Sequence, residues 1–169
     1  HATKNTSAAE VDFKVNTGLT QKIFDYFMAS GVKKFIFFST AKAAADRVEG
    51  ILTEDVVPSP VGPYGESKIK AEEYILSKDL SEDKQVYIFR PCMIHGPGNK
   101  GNLNLLYSVV RKGIPWPLGA FENRRTFTSI ENICFAVNGV LTQDVPSGIY
   151  NMGDDEALST NELIEEICK

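Results

Sequence analysis

Residues 34–40 read KFIFFST, and residues 63–68 read PYGESK. The apolar run that precedes the two hydroxyl residues of the first segment is typical of a buried parallel strand. The prolines and the glycine of residues 58–63 form a turn-rich segment, which favours the start of a helix next to Tyr64. Because ligands of open α/β sheets lie at the carboxyl ends of the strands, the two segments together predict a ligand site at such an edge.

Tyr64 and Lys68 are four residues apart, so a helix places both side chains on one face. An ammonium group close to a phenol lowers the phenol's pKa, and a nearby hydroxyl such as that of Thr40 can hold a substrate oxygen. This combination can move a proton on and off an alcohol while a hydride leaves the alcohol carbon. A free phenol has a pKa of about 10, so a base acting near neutral pH needs that pKa lowered by about three, or roughly 4 kcal/mol.

A second Tyr-x-x-x-Lys pattern occurs at residues 74–78, which read YILSK. Tyr74 lies in the middle of the same predicted helix beside two aliphatic residues, a setting that favours packing against the core. Lys78 is then expected to lay its carbon chain along the apolar surface and to keep its charge in water. Tyr64 differs because a turn and a strand end precede it, and we therefore predict that Tyr64 is the reactive tyrosine.

The rest of the chain alternates between helical and strand patterns. An apolar stripe predicts a long helix at residues 9–30, ended by Gly31. Further strands are predicted at residues 34–40, 85–90, 125–129 and 149–151, and further helices at residues 64–78, 102–112, 130–141 and from a capping box at Ser159 and Glu162 onward. A polar loop is predicted at residues 41–62 and an extended segment at residues 114–119. This alternation argues for a parallel α/β sheet.

Composition and charge exclude several classes of protein. The 169 residues fit one domain or parts of two, and the 43% apolar and 24% charged residues are ordinary for a globular protein. With a net charge of −4 and no basic cluster longer than two residues, a nucleic-acid partner is not expected. No apolar stretch approaches membrane-spanning length, so no membrane partner is expected either. Cys92, Cys134 and Cys168 are few and far apart, which argues against a metal site and favours a reducing cytoplasm.

Residues 96–101 read GPGNKG and match the G-x-G-x-x-G pattern of dinucleotide-binding loops. Pro97, however, removes one backbone donor from the loop that should hold the phosphates. The acidic residue expected to bind the ribose would fall near Glu122, in a turn-like stretch rather than at the end of a strand. We therefore interpret this loop as a rim of a substrate site and not as a cofactor fingerprint.

Six groups of residues occur in the order typical of one known family. They are VNTGLT at 15–20, FIFFST at 35–40, PYGESK at 63–68, RP at 90–91 with GPG at 96–98, RTF at 125–127 with IEN at 130–132, and YNMG at 150–153 followed by Ser159 and Glu162-Leu163. In this order they resemble the extended short-chain dehydrogenase/reductases, in the branch of NAD-dependent sugar-nucleotide epimerases and dehydratases. The family's N-terminal glycine-rich motif and its C-terminal end have no counterpart here. The resemblance thus implies the middle and late part of a longer enzyme.

The resemblance implies a fold and a division of the chain. The expected fold is α/β, a partial Rossmann-like parallel sheet with part of a smaller substrate-binding region. Residues 1–92 would form the C-terminal part of the NAD-binding domain. Residues 93–169 would form the substrate-binding region, with segments that return to the sheet.

Matching the family's motifs residue by residue implies individual roles. The catalytic residues would be Thr40, Tyr64 as the base and Lys68 as its partner. The cofactor-binding residues would be Ser39, Tyr64, Lys68, Pro91 and Cys92, with Lys68 bonding the nicotinamide ribose. The substrate-binding residues would be Asn102 at the nucleotide diphosphate, Trp116 and Leu118 along the base, and Arg125 at a phosphate, which suits a bidentate guanidinium. No metal is implied.

The activity implied by the resemblance is an NAD-dependent epimerisation at C4 of a UDP-hexose through a 4-keto intermediate, carried out by a homodimer. A sugar-nucleotide 4,6-dehydratase or a reductase is the alternative. The dehydratase needs an acid/base pair directly after the catalytic hydroxyl, and Ala41 and Lys42 stand there instead. A catalytically silent nucleotide-binding relative also remains open, although it should lack the tyrosine or the lysine, and both are present.

Overall fold

The computed structural model describes residues 6–98, 102–113 and 123–168. The elements in chain order are α1 (Thr6–Asp12), a π-helical stretch (Phe13–Leu19), α2 (Thr20–Ala29), β1 (Lys34–Phe38), α3 (Ala41–Ala44), α4 (Pro63–Leu76), β2 (Gln85–Pro91), β3 (Met93–His95), α5 (Asn102–Arg111), β4 (Arg125–Ser129), α6 (Ile130–Thr142), β5 (Gly148–Met152), β6 (Ala157–Leu158) and α7 (Thr160–Cys168). The predicted alternation of helices and strands is confirmed, and the fold class is α/β. The predicted extended segment at residues 114–119 lies outside the described residues.

The chain divides into two compact units, residues 1–91 with 137–152 and residues 92–136 with 153–169. In the first unit, the sheet has the order β1-β2-β5, and both pairings are parallel. Lys34 pairs with Gln85, and Tyr87 pairs with Gly148. The predicted parallel sheet is therefore confirmed, while the assignment of separate cofactor and substrate regions stays a prediction.

The core of the first unit lies between the sheet and the helices α2 and α4. Its buried side chains are Phe24, Phe27, Phe37, Ala71, Ile75, Val86 and Ile88. The central strand β2 is buried from Val86 to Pro91, as expected for a strand covered on both faces. Each of the larger apolar side chains contributes about 1.5–3 kcal/mol through burial, so this cluster anchors α4 against the sheet.

Two predictions about this unit need correction. The apolar run of β1 is less buried than predicted, with Phe37 buried but Phe38 40% exposed, because β1 is the outer strand of the three described. Residues 41–62 are not a loop throughout, because α3 forms directly after Thr40. The Thr40 hydroxyl accepts a hydrogen bond from the Lys42 amide at the start of this helix, and Ala43 and Ala44 are fully buried.

The first helical run confirms the predicted long helix but contains an irregularity. The π-helical stretch follows α1 and continues into α2 without a break, because Asp12 and Leu19 keep right-handed helical backbone angles. The helix ends at Ser30, whose backbone is extended and whose amide donates to the Phe27 carbonyl. Such π-helical turns are rare and are found frequently at functional sites.

The second unit contains the sheet β3-β4-β6. β3 and β4 are parallel, with Met93 opposite Phe127, whereas β4 and β6 are antiparallel. The predicted capping box of α7 is confirmed. The Glu162 amide donates to the Ser159 hydroxyl at 3.1 Å, and the Ser159 amide donates to the Glu162 carboxylate at 2.7 Å.

Candidate active site

The carboxyl end of β1 and the first turns of α4 bring the three predicted catalytic side chains together in the first unit. The Thr40 hydroxyl lies close enough to the Tyr64 phenol to lower its pKa. The Lys68 ammonium donates to the carbonyl of Phe38 at 2.8 Å, two residues before Thr40. A hydroxyl, a phenol and an ammonium group therefore converge on the end of one strand, the edge at which open parallel sheets bind ligands.

α4 approaches α3 closely enough to require a glycine after Tyr64. A Cβ atom at Gly65 would lie 2.7 Å from the Lys42 carbonyl oxygen and 3.0 Å from the Pro60 Cβ atom. The helix begins at Pro63, after Gly62 with a φ of +85°, a left-handed conformation that favours glycine. The sequence analysis missed the part played by Gly65, although the residue stands inside the motif it used.

The pKa of Tyr64 differs from the sequence-based expectation. Burial raises the pKa of Tyr64 above its ordinary value; the Thr40 hydrogen bond lowers it in part, and the charge of Asp12 raises it. The predicted lowering by Lys68 is absent from this structure, where the ammonium contacts the Phe38 carbonyl. The phenol is nevertheless accessible, since Tyr64 is 44% exposed. In this state Tyr64 is a protonated donor at neutral pH.

Lys68 lies in a half-buried setting beside the sheet. Burial lowers the pKa of Lys68, and the negative charge of Glu72 partly offsets this effect. The ammonium also lies 5.0 Å from the centre of the Phe37 ring, which adds a cation–π contact. An ammonium group has three N–H donors, and the Phe38 carbonyl is its one hydrogen-bond acceptor among the described residues. Further donors are therefore suited to the hydroxyls of a ribose.

The Ser39 hydroxyl contacts a buried ion pair. It donates to the carboxylate of Glu72, which accepts from Arg90 through Nε at 3.1 Å and Nη2 at 2.6 Å. Ser39, Glu72 and Arg90 are all buried. The geometry thus assigns the Ser39 hydroxyl to Glu72, and its predicted contact with the cofactor stays a prediction. Sequence reasoning missed Glu72, whose signal was its position four residues after Lys68 on the same helical face.

The π-helical stretch supports the first turns of α4. Asn16 Nδ2 donates to Ser67 Oγ at 3.1 Å, and the Thr17 hydroxyl donates to the Ser67 carbonyl at 2.7 Å. The buried Ser67 hydroxyl in turn donates to the Tyr64 carbonyl at 2.8 Å. The backbone that carries Tyr64 is thereby tied to the preceding helix through one serine.

The other predicted cofactor residues are distributed between the units. Pro91 is buried in the first unit at the end of β2, opposite Met152. Cys92 belongs to the second unit, where burial and the nearby charge of Asp154 raise the pKa of its thiol. A raised pKa keeps the thiol neutral, so Cys92 is not an activated nucleophile. Its contact with a cofactor stays a prediction, as does that of Pro91.

The structure describes two of the four predicted substrate-binding residues. Asn102 begins α5, and Trp116 and Leu118 lie outside the described residues. Arg125 begins β4 opposite Leu158 and is exposed, whereas the neighbouring Arg124 contacts Glu162 at 3.3 Å. Within the parts of the chain that the structure describes, no group of three His, Cys, Asp or Glu side chains could hold a metal ion. No helix in those parts is long and apolar enough to cross a membrane.

A parallel α/β sheet with Thr40, Tyr64 and Lys68 at the end of a strand defines a Rossmann-type protein with a hydroxyl–tyrosine–lysine group. The model of the NAD dependent epimerase/dehydratase family matches residues 1–153. The chain belongs to this family, and the predicted resemblance and the predicted cofactor, NAD, are confirmed at the level of the family.

Known proteins of this family share both sequence and fold with the chain. A UDP-glucose 4-epimerase of Vibrio cholerae is 34% identical over 165 residues, which are 92% of this chain and 48% of that protein. The enzyme WbmG of Bordetella bronchiseptica, solved with NAD and UDP, has a TM-score of 0.82 at 21% identity, over 98% of this chain and 52% of that chain. DesIV of Streptomyces venezuelae, a dTDP-glucose 4,6-dehydratase solved with NAD and TYD, has a TM-score of 0.81 at 24% identity, over 99% of this chain and 53% of that chain.

These likenesses support different conclusions. The two solved structures share the Rossmann-type fold with this chain, since their sequence identity is too low to carry more. The chain spans about half the length of the relatives it matches. The family contains both epimerases and dehydratases, so membership alone leaves the reaction at C4 open.

Proposed function

We propose that the whole protein is an NAD-dependent C4 epimerase of a UDP-hexose, working through a 4-keto intermediate. The observation that carries the proposal is the arrangement at the end of β1, where Thr40 lies beside Tyr64 and is followed in the chain by Ala41 and Lys42. This provides one group for moving the proton of the C4 hydroxyl and no acid beside it for expelling water. The identity of 34% to a protein named UDP-glucose 4-epimerase supports the same reaction.

The residues present fit the nicotinamide end of NAD. The Tyr64 phenol is exposed at the carboxyl end of a parallel strand, and the neighbouring Lys68 has N–H donors suited to ribose hydroxyls. When bound, NAD supplies acceptance and return of the hydride at C4. We also propose that Pro91 and Cys92 belong to this cofactor site, as the resemblance implies, whereas the Ser39 hydroxyl is engaged by Glu72.

In the proposed mechanism, Tyr64 as phenolate takes the proton of the C4 hydroxyl while Thr40 holds the same oxygen. We place the Lys68 ammonium beside the phenolate in the reacting state, where its charge would favour the charged form of the base. In this structure the ammonium contacts the Phe38 carbonyl. The hydride leaves C4, the 4-keto sugar rotates in the pocket, and hydride and proton return to C4 on its other face. The product is therefore a stereoisomer of the substrate with the same mass.

We propose further that Asn102, Trp116, Leu118 and Arg125 bind the nucleotide, and that the protein is a homodimer in the cytoplasm. Four side chains of the first helical run, spaced four residues apart and each about half exposed, are apolar and suit a contact with a second copy. They are Val11, Val15, Leu19 and Ile23. Light scattering on the purified whole protein measures the oligomeric state directly.

A 4,6-dehydratase remains the second candidate, because the family to which the chain belongs includes dehydratases. The two reactions differ in the mass of the product. Full-length protein incubated with UDP-glucose, UDP-N-acetylglucosamine and their uronic acids should give a C4 stereoisomer of unchanged mass, seen by mass spectrometry and proton NMR. Loss of one water from any of these sugars would instead show a dehydratase. An unchanged sugar in every reaction would indicate a silent binding protein.

A further inference from the structure

Glu72 and Arg90 form a buried ion pair whose stabilising effect does not explain its presence. Glu72 is fully buried and Arg90 is 2% exposed, and the guanidinium contacts both carboxylate oxygens. Charged side chains are almost never fully buried unless they are paired. Even when paired, their loss of hydration offsets most of their attraction, so apolar residues of similar volume often stabilise as well or better. The pair therefore points to a role other than stability.

The role is indicated by the third residue that contacts the ion pair, Ser39 at the end of β1. Tyr64, Lys68 and Glu72 are spaced four residues apart and share one face of α4. Each contacts a different residue of one tripeptide at the end of β1: Tyr64 meets the Thr40 side chain, Lys68 meets the Phe38 carbonyl, and Glu72 meets the Ser39 hydroxyl. α4 thus holds the end of β1 at three successive points.

Of these three contacts, the one from Glu72 is the most deeply buried. Ser39 is only 5% exposed, and its amide donates to the Phe89 carbonyl of β2 at 2.7 Å, so the residue is held from two sides. Arg90, also on β2, fixes the carboxylate with two nitrogens, a geometry that a lysine cannot provide. The carboxylate therefore ties α4, β1 and β2 together immediately before Thr40.

We propose that Glu72 is a positioning residue that acts through Ser39 to hold Thr40 at the Tyr64 phenol. The inference rests on the proposed function, since it assigns Glu72 a part in the reaction of Tyr64. Glu72 also assists the reaction of Tyr64 in a second way, through its charge. The charge of Glu72 raises the pKa of the half-buried Lys68 and so favours its ammonium form.

The test compares variants of the full-length enzyme in kcat, KM, NAD affinity and thermal unfolding. Glu72→Gln keeps the shape of the side chain but removes its charge, and Ser39→Ala removes only the hydroxyl and leaves the ion pair intact. A displaced catalytic pair can lose on the order of 10–100-fold in rate, so both variants should lower kcat by this amount. KM and NAD affinity should stay within about twofold of the parent enzyme, because binding groups are unchanged. Glu73→Gln, an exposed neighbour on α4, is the matched control and should retain kcat.

The double variant separates positioning from an independent role of Ser39. If Ser39 acts through Glu72, the combined change lowers kcat no further than Glu72→Gln alone. If the losses in kcat of the two single variants multiplied in the double variant, the proposal would be overturned. So would an NAD affinity that falls in Ser39→Ala by the same factor as kcat, because Ser39 would then contact the cofactor. A lowered unfolding temperature with unchanged kcat would show a purely structural ion pair and would also overturn it. Ser39→Ala carries the test if Glu72→Gln fails to fold.

A measurement without substrate keeps this proposal distinct from the proposed function. Inactivity of the parent enzyme on every sugar would reject the proposed function alone. Carbon-13 NMR of tyrosine-labelled protein then reports the Tyr64 phenol, which is identified by its loss in Tyr64→Phe. Because the Thr40 hydrogen bond lowers the pKa of this phenol, Ser39→Ala should raise that pKa. An unchanged pKa in Ser39→Ala means that Ser39 does not hold Thr40 in place, and the proposal is wrong.

Discussion

The same Tyr-x-x-x-Lys pattern occurs at the start of α4 and across its end, and the two copies have different surroundings. Tyr64 lies at the end of β1 beside Thr40, and Lys68 reaches the backbone of that strand. Tyr74 packs against the core and donates to Asp25 of α2 at 2.6 Å, while the Lys78 ammonium lies 4.5 Å from the centre of the Tyr74 ring. Two residues ten positions apart on a helix point in directions that differ by roughly 80° around the helix axis, so the two tyrosines meet different neighbours. The spacing is the same in both copies, but the strand end opposite Tyr64 makes one of the two tyrosines a candidate base.

The largest expected difference between the two copies is in turnover. In the full-length enzyme, Tyr64→Phe removes the proton-transferring oxygen and should lower kcat by at least ~100-fold, the lower end for general acid–base catalysis. Tyr74→Phe should leave kcat within about twofold, because its oxygen donates to Asp25 of α2, away from the end of β1. Steady-state kinetics on matched preparations measure both. Equal losses in the two variants would contradict the assignment of Tyr64.

Substitutions of the two lysines should also differ in their effect on kcat, by a smaller factor than substitutions of the two tyrosines. Lys68→Met removes the cation proposed to stabilise the phenolate and should lower kcat roughly 10–100-fold. Lys78→Met should leave kcat unchanged and cost about 0.5–1 kcal/mol of stability through its lost contact with the Tyr74 ring. Kinetics and urea denaturation of the two variants give the comparison. A drop in kcat for Lys78→Met would show that the second copy also takes part in the reaction.

Local patterns in the sequence predicted much of this site. The bounds of β2, the start of α4 and the capping box of α7 all follow from residues within one turn or strand. The confirmed packing of Tyr74 likewise followed from its aliphatic neighbours. These features are set by contacts between residues close in the chain, which periodicity and capping preferences report directly.

Other features depend on residues distant in the chain and could not be predicted. The hydrogen bond from Ser39 to Glu72 spans 33 positions. The burial of Ala43 and Ala44 in the short helix α3 depends on its packing against α4, a helix that lies much later in the chain. The pKa of Tyr64 follows from its burial, and burial is a property of the assembled fold. A motif therefore specified which side chains meet, but not their charge states or their second partners.

A titration of Tyr64 tests its contact with Thr40. Removing the Thr40 hydroxyl in Thr40→Val deletes the hydrogen bond that lowers the phenol's pKa, so the already raised pKa of Tyr64 should rise further. Because the folded-state pKa lies above the unfolded value, the protonated phenol favours the fold below about pH 10. This contribution is lost as the pH rises through the folded-state value. Ultraviolet absorbance of tyrosinate, with Tyr64→Phe subtracted, measures the shift, and a lower pKa in Thr40→Val would contradict the geometry.

The smallest expected effect concerns the stability supplied by Tyr74. Tyr74→Phe keeps the ring beneath Lys78 and removes only the hydrogen bond to Asp25, so unfolding should become easier by about 1 kcal/mol. Asp25→Ala removes the acceptor from the other side, and the double variant should lose no more than Tyr74→Phe alone if the bond is the whole effect. Urea denaturation of the full-length protein should show a lower midpoint with an unchanged slope. A loss above about 3 kcal/mol would mean that the Tyr74 oxygen is needed inside the core, and Tyr74 would then be more than a packing residue at the edge of the cluster.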